Sequence, residues 1–114
     1  MPAKLSTHVL DQSAGLPAAG MTVELWQLGS PPRLVKTVAT NADGRTDAPL
    51  LGPGEMAAGE FEIVFFVGDY FAGKGVSARF LDRVPVRFHL ADPGASYHVP
   101  LLCTPWSYST YRGS

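Results

Sequence analysis

Apolar and polar residues alternate along the chain in short runs, each of strand length and each closed by turn chemistry. The clearest run is Glu60-Phe61-Glu62-Ile63-Val64-Phe65-Phe66-Val67. Its period of two sends Phe61, Ile63, Phe65 and Val67 inward and leaves Val64 and Phe66 outward. Two outward apolar residues on an otherwise polar face predict a contact with another element or subunit. Val84 to Leu90 alternates in the same way, with Val84, Val86, Phe88 and Leu90 inward, Arg87 and His89 outward, and Pro85 marking an edge or strand start. Leu5 to Leu10 puts Leu5, Thr7 and Val9 on one face and Ser6, His8 and Leu10 on the other. Met21 to Leu28 separates Met21, Val23 and Leu25 from Thr22, Glu24 and Trp26. Leu34 to Thr40 is β-branched and ends in Asn41-Ala42-Asp43-Gly44, a turn that delivers Arg45 to the mouth of a sheet. Tyr97 to Cys103 groups Tyr97, Val99, Leu101 and Cys103 against His98 and Leu102. Asp69 to Gly75 predicts one short helical turn at most.

Between these runs fall Gly29-Ser30-Pro31-Pro32, Asp43-Gly44, Gly52-Pro53-Gly54, Gly68-Asp69 and Asp92-Pro93-Gly94, where Gly supplies positive φ and Pro presets φ. Six or more short strands so spaced, and no amphipathic helix longer than two turns, predict an all-β chain of two antiparallel sheets packed as a sandwich.

Length and charge narrow the function. The 114 residues suit a single domain, 1–114. A globule of this size, with a radius of gyration of about 13 Å, encloses one core and little private cavity, so a sizeable ligand site calls for a neighbouring subunit. The 9 basic and 10 acidic residues nearly cancel without forming runs, which argues against nucleic acid and against an anionic membrane surface as partners. The opening Met1-Pro2-Ala3-Lys4-Leu5-Ser6 has no apolar signal core, and no apolar stretch of spanning length follows, so the expected location is cytoplasmic. Cys103 is the only cysteine, which excludes an intrachain disulfide and any multi-cysteine metal site.

Several chemistries fail on spacing. His8, His89 and His98 form no His-x-His or His-x-x-x-His pair, so a metal site is not expected. Cys103 shares the inward parity of Val99 and Leu101 and reads as a small buried hydrophobe, not a nucleophile. Gly-x-Ser-x-Gly, P-loop and Gly-x-Gly-x-x-Gly motifs are all missing. What remains is His8 and His98 on outward strand faces and Arg45 after a turn. Each alone reads as an ordinary surface residue. The segment Ser107-Tyr108-Ser109-Thr110-Tyr111-Arg112-Gly113-Ser114 changes that balance, because two tyrosines and an arginine suit a docked tail better than a free one.

Four stretches together resemble the 5-hydroxyisourate hydrolases, transthyretin-like proteins of purine (urate) degradation. They are Leu5-Ser6-Thr7-His8-Val9-Leu10-Asp11, Thr40-Asn41-Ala42-Asp43-Gly44-Arg45-Thr46, Tyr97-His98-Val99-Pro100-Leu101-Leu102 and Tyr111-Arg112-Gly113-Ser114, with Gly68-Asp69-Tyr70-Phe71 between them. The resemblance runs from Leu5 to Ser114, and the Tyr-Arg-Gly-Ser ending distinguishes the hydrolases from transthyretin itself. It implies a transthyretin-like sandwich of two four-stranded antiparallel sheets with at most one short helix. It also implies a homotetramer, a dimer of dimers, with active sites where the dimers meet. The implied reaction is hydrolysis of 5-hydroxyisourate to 2-oxo-4-hydroxy-4-carboxy-5-ureidoimidazoline without a cofactor. Carried onto this chain, the catalytic positions are His8, Arg45 and His98, and the substrate-binding positions are His8, Arg45, Tyr111, Arg112, Gly113 and Ser114. The two histidines would move protons and position water, and Arg45 would bind the polarised oxygens. Tyr111 and Arg112 would hold the flat heterocycle, with Ser114 adding its hydroxyl or a terminal carboxylate. Ser96 departs from the pattern, since many relatives carry a second histidine there. One rival reading is a noncatalytic transthyretin-like carrier of a small hydrophobic ligand, and a second is a structural or adhesive β-sandwich module. Retention of His8, Arg45, His98 and the tail as a set favours the hydrolase over both.

Overall fold

The computed structural model describes residues 2–77 and 79–114. One four-stranded sheet is antiparallel throughout, in the order β5-β4-β6-β7: β4 is Thr22–Gln27, β5 Arg33–Ala39, β6 Gly59–Phe66 and β7 Arg83–Leu90. Its inward face follows the alternation of the sequence. Val23 pairs with Phe65 and Leu25 with Ile63, and beyond them Ile63 pairs with Val86 and Phe65 with Val84. Pro85 falls in the outermost strand, where its missing N–H is tolerated. Val64, of outward parity, is nonetheless buried. Phe66 is half-covered, with the Arg83 guanidinium 4.5 Å from its ring centroid.

The opposing layer is built from the two ends of the chain. β1 (Leu5–Ser6) pairs with β8 (Tyr97–His98), and a four-stranded sheet runs β10-β9-β2-β3, with β2 Val9–Asp11, β3 Leu16–Pro17, β9 Leu101–Cys103 and β10 Tyr108–Thr110. The runs 5–10 and 97–103 are thus each split into two strands. Pro100 has no N–H, so the ladder breaks there. Bonds from Val99 N–H to the Ser6 carbonyl and from Leu101 N–H to the His8 carbonyl, both 2.9 Å, carry the pairing across the break. The buried Thr7 hydroxyl donates to the Val99 carbonyl at 2.7 Å. β1·β8 and β2·β9 are parallel, where the sequence predicts antiparallel sheets. Parallel neighbours need a long crossover, and here nearly the whole intervening chain supplies it. The tail docks onto its own chain as edge strand β10, antiparallel to β9.

The inward faces of both layers merge into one buried apolar cluster that includes Leu5, Val9, Leu25, Phe61, Ile63, Phe65 and Leu101. Each such side chain contributes about 1.5–3 kcal/mol by leaving water.

The helix α1, Val67–Gly73, has seven residues, about two turns, one more than the sequence predicts. It begins inside the alternating run, because Val67 is as buried in a helix start as it would be in a strand. A Cβ on Gly68 would lie 2.7 Å from Asp82 Oδ1 and 2.9 Å from its Cα, so glycine alone lets the helix meet that loop. Tyr70 ties α1 to β2 by donating its hydroxyl to buried Asp11 at 2.9 Å. Ser13 Oγ and Ala14 N–H also donate to Asp11, at 2.6 and 3.1 Å. Burial, and then the Asp11 carboxylate, push the Tyr70 phenol well above its ordinary pKa. Cys103 is buried, and its thiol is pushed up to about 12, first by burial and then by Asp11, so it is inert as a nucleophile. Among the described residues no helix is long and apolar enough to cross a membrane.

Candidate active site

The turn after β5 is organised by Asn41. Its side-chain oxygen accepts from the N–H groups of Asp43 (2.9 Å) and Arg45 (3.2 Å). Its own N–H donates to the Arg45 carbonyl at 2.7 Å. This self-contained Asx turn fixes the backbone from which Arg45 projects. Gly44 presses the turn against β2: its carbonyl accepts the Val9 N–H at 2.8 Å, φ is +75°, and a Cβ there would sit 2.3 Å from the Val9 carbonyl oxygen.

The same docking brings Asp43 to His8, which lies in the gap between β1 and β2. His8 Nε2 is 2.8 Å from the Asp43 carbonyl oxygen. A carbonyl only accepts, so Nε2 carries the proton and the lone pair of the neutral ring sits on Nδ1.

His98 is directly opposite Ser6 in the parallel β1·β8 pair, and the Ser6 hydroxyl is 2.9 Å from its Nδ1. On its other side the tail returns. Gly113 N–H donates to the His98 carbonyl at 2.6 Å, and His98 N–H donates to the Gly113 carbonyl at 3.2 Å. A Cβ on Gly113 would be 3.1 Å from both Cβ and Cδ2 of His98, so close packing there depends on glycine. Partial burial, then the positive charge of Arg45, then His8 hold His98 below its ordinary pKa. His8, Arg45, His98 and Gly113 are therefore gathered in one place. Ser6 and Arg45 also line a cleft of about 230 Å³ shared with Lys4 and Asp47. The arrangement combines two imidazoles with one permanent cation, a set able to move protons and stabilise an oxyanion.

Tyr111 and Arg112 point elsewhere within the single chain. Both line a groove of about 280 Å³ with Val86, Phe88 and Tyr97. Arg112 lies 4.3 Å from the Tyr97 ring centroid and donates to the Ser96 carbonyl at 3.3 Å. Ser114 is exposed beyond Gly113. His89 is on β7 of the other sheet, opposite Glu60, and also lines that groove. Among the described residues no three His, Cys, Asp or Glu side chains converge as metal ligands would.

Three contributors escape a reading of the sequence for chemistry. Ser6 looks like a solvated strand residue, Asn41 like punctuation, and Asp43 acts through its carbonyl, which every residue has. The only signal was local: Asn41 and Asp43 belong to the recognised turn, and Ser6 shares the outward parity of His8.

Several known proteins are similar to this chain. A 5-hydroxyisourate hydrolase of Mesorhizobium japonicum is 55% identical over 115 residues, covering 97% of this chain and 92% of the relative. The Klebsiella pneumoniae 5-hydroxyisourate hydrolase structure superposes with a TM-score of 0.84 at 34% identity, over 98% of this chain and 94% of that one. The crystal structure of an (S)-allantoin synthase matches with a TM-score of 0.93 at 46% identity, over 99% of this chain, which spans only 44% of that longer one. The HIUase/Transthyretin family model matches residues 5–113. With the family model matching residues 5–113 and relatives aligned over nearly the whole chain, the chain belongs to the HIUase/Transthyretin family.

Proposed function

We propose that this chain is a single-domain enzyme that hydrolyses 5-hydroxyisourate to 2-oxo-4-hydroxy-4-carboxy-5-ureidoimidazoline at the cluster of His8, Arg45 and His98. The observation that carries the reading is the convergence of His8 and Arg45 on a His98 kept below its ordinary pKa. A relative 55% identical over nearly the same length is a 5-hydroxyisourate hydrolase, which supplies the substrate.

Water attacks a ring amide carbonyl while one imidazole takes its proton. The carbonyl electrons move to oxygen, where the Arg45 guanidinium stabilises the oxyanion. Collapse re-forms the carbonyl and breaks the C–N bond, and the departing nitrogen takes a proton from an imidazolium. A His98 held below its ordinary pKa, with His8 beside it and a fixed cation, suits these steps, and the reading includes no cofactor.

Tyr111, Arg112, Gly113 and Ser114 complete the substrate site in this reading, within a homotetramer built as a dimer of dimers. The apolar groove between β7 and the tail lies between two edge strands with open backbone, which suits it to receive a second copy. Leu10 and Leu102, paired on the outer face beside the histidines and only partly buried, suit a contact between dimers. The charge balance and the lack of a long apolar helix among the described residues support a cytoplasmic setting, with neither nucleic acid nor membrane as partner.

The test is the decay of 5-hydroxyisourate, generated in place from urate by urate oxidase and followed by ultraviolet absorbance. The wild-type chain is expected to accelerate decay above the spontaneous rate. His98→Asn is expected to lose roughly 100-fold or more in turnover, the scale of acid–base catalysis. No acceleration by the wild-type chain would overturn the reading and leave a carrier.

A further inference from the structure

We propose that Ser6 is a positioning residue for His98, its hydroxyl holding the imidazole at one angle whichever ring nitrogen carries the proton. The proposal rests on the hydrolase reading above and concerns a residue that reading does not use.

Ser6 is itself held in place. Its carbonyl accepts the Val99 N–H at 2.9 Å, and Leu5 beside it exchanges backbone bonds with Leu51 at 2.9 and 3.3 Å. With Ser6 and His98 opposite one another in the ladder, the hydroxyl meets the Nδ1 edge of the ring at 2.9 Å. Gly113 confines the Cβ and Cδ2 side of the same ring. The imidazole is thus gripped at two edges, and Nε2 is the nitrogen left available to a reactant.

The two histidines differ in the kind of partner they have. The Asp43 carbonyl can only accept, so it fixes His8 in one tautomer. A hydroxyl both donates and accepts. Nε2 can take a proton from water only when it is bare, and in that neutral tautomer Nδ1–H donates to Ser6 Oγ. The same Nδ1–H to Oγ bond persists in the imidazolium and after Nε2 releases its proton to the departing nitrogen, so one ring acts as base and then as acid without leaving its site. In the other tautomer, with hydrogen on Nε2, the hydroxyl turns to donate to the bare Nδ1 and the ring keeps its angle. A carboxylate in place of Ser6 would favour the cation and oppose the return step.

The charged and titratable groups facing His98 are Arg45 from the turn and His8 from the β1–β2 gap, with Lys4 and Asp47 lining the cleft that Ser6 opens onto. The tail contributes uncharged Gly113 on this side, and Arg112 is turned toward Tyr97.

Ser6→Ala and Ser6→Thr in the full chain test the proposal. Ser6→Ala is expected to lower kcat roughly tenfold, the scale of one lost hydrogen bond, with KM within about twofold. The acid limb of the kcat–pH profile should shift, and Ser6→Thr should recover most of the loss. Nitrogen-15 NMR of the substrate-free protein should show the His98 ring nitrogens, and not those of His8, moving in Ser6→Ala and returning in Ser6→Thr. Unchanged kcat, unmoved His98 nitrogens, or a loss that Thr does not recover would each overturn the role. The NMR measurement needs no substrate, so it tests the Ser6 linkage even if the wild-type chain does not hydrolyse 5-hydroxyisourate, a failure visible in the wild type itself.

Discussion

The backbones of His98 and Gly113 bond to each other in both directions, and a Cβ on the glycine would lie 3.1 Å from Cβ and Cδ2 of His98, a fit that a methyl group would make too tight. Gly113 is not among the positive-φ glycines, so its role is close approach rather than conformation. Gly113→Ala should push the ring or the tail by a few tenths of an ångström. We expect kcat for 5-hydroxyisourate to fall roughly tenfold, because small misplacements of a proton-transfer group are costly, while thermal denaturation shifts little. Loss of fold with loss of rate would instead make Gly113 a structural residue.

The low pKa of His98 has a definite sign in both activity and stability. Burial, Arg45 and His8 disfavour the imidazolium, so the neutral ring should persist below the ordinary value of about 6.5. Activity should hold level through that value and decline on the acid side with a midpoint below it. The unfolded chain takes up this proton first, so the stability associated with neutral His98 is complete above about 6.5 and is lost as pH falls toward the folded pKa. Arg45→Gln removes a positive neighbour and should raise the His98 midpoint in an NMR titration. A midpoint unmoved by that change would show that Arg45 does not act on His98.

Two glycines with similar dihedral angles should respond differently to substitution. Gly44 has φ +75° and a Cβ position 2.3 Å from a backbone oxygen, whereas Gly54 has φ +85° and nothing within 4 Å. Gly54→Ala should cost only left-handed strain, about 1–2 kcal/mol. Gly44→Ala must also lift the turn from β2, and about 2–4 kcal/mol is expected. Thermal melts of both variants at equal protein concentration give the comparison. Residual hydrolysis should fall in Gly44→Ala alone, since that turn carries Arg45 and the Asp43 carbonyl.

The faces of the sandwich were readable where one side of a strand is buried and the other is wet. Phe61, Ile63 and Phe65, and likewise Tyr97, Val99, Leu101 and Cys103, are buried as their parity requires. Periodicity carries no information about which strands are neighbours, and the parallel pairing of the chain ends was invisible for that reason. β10 is exposed along its whole length, so it offers no alternation to read. The helix start was hidden because Val67 satisfies strand and helix patterns alike.

The site was legible as residue types and not as a constellation. Parity put His8 and His98 on outward faces, and the turn put Arg45 near a sheet mouth, but neither brings them together. Their gathering depends on the Asn41 turn docking through Gly44 and on the tail folding back through Gly113. Both are backbone contacts, which leave little trace in side-chain chemistry. Tyr111 and Arg112 show the converse: prominent in the sequence, they face a groove that the single chain leaves open.

The parallel ladder at the chain ends also bears on how the protein comes to be folded. Ser6 and His98 are 92 positions apart, and closing so large a loop costs chain entropy before any contact offsets it. Folds rich in such distant pairings form slowly. During synthesis His8 is made well before the strand it packs beside, with most of the sandwich between them. No growing chain can display both imidazoles side by side until its late strands have arrived and closed onto the first.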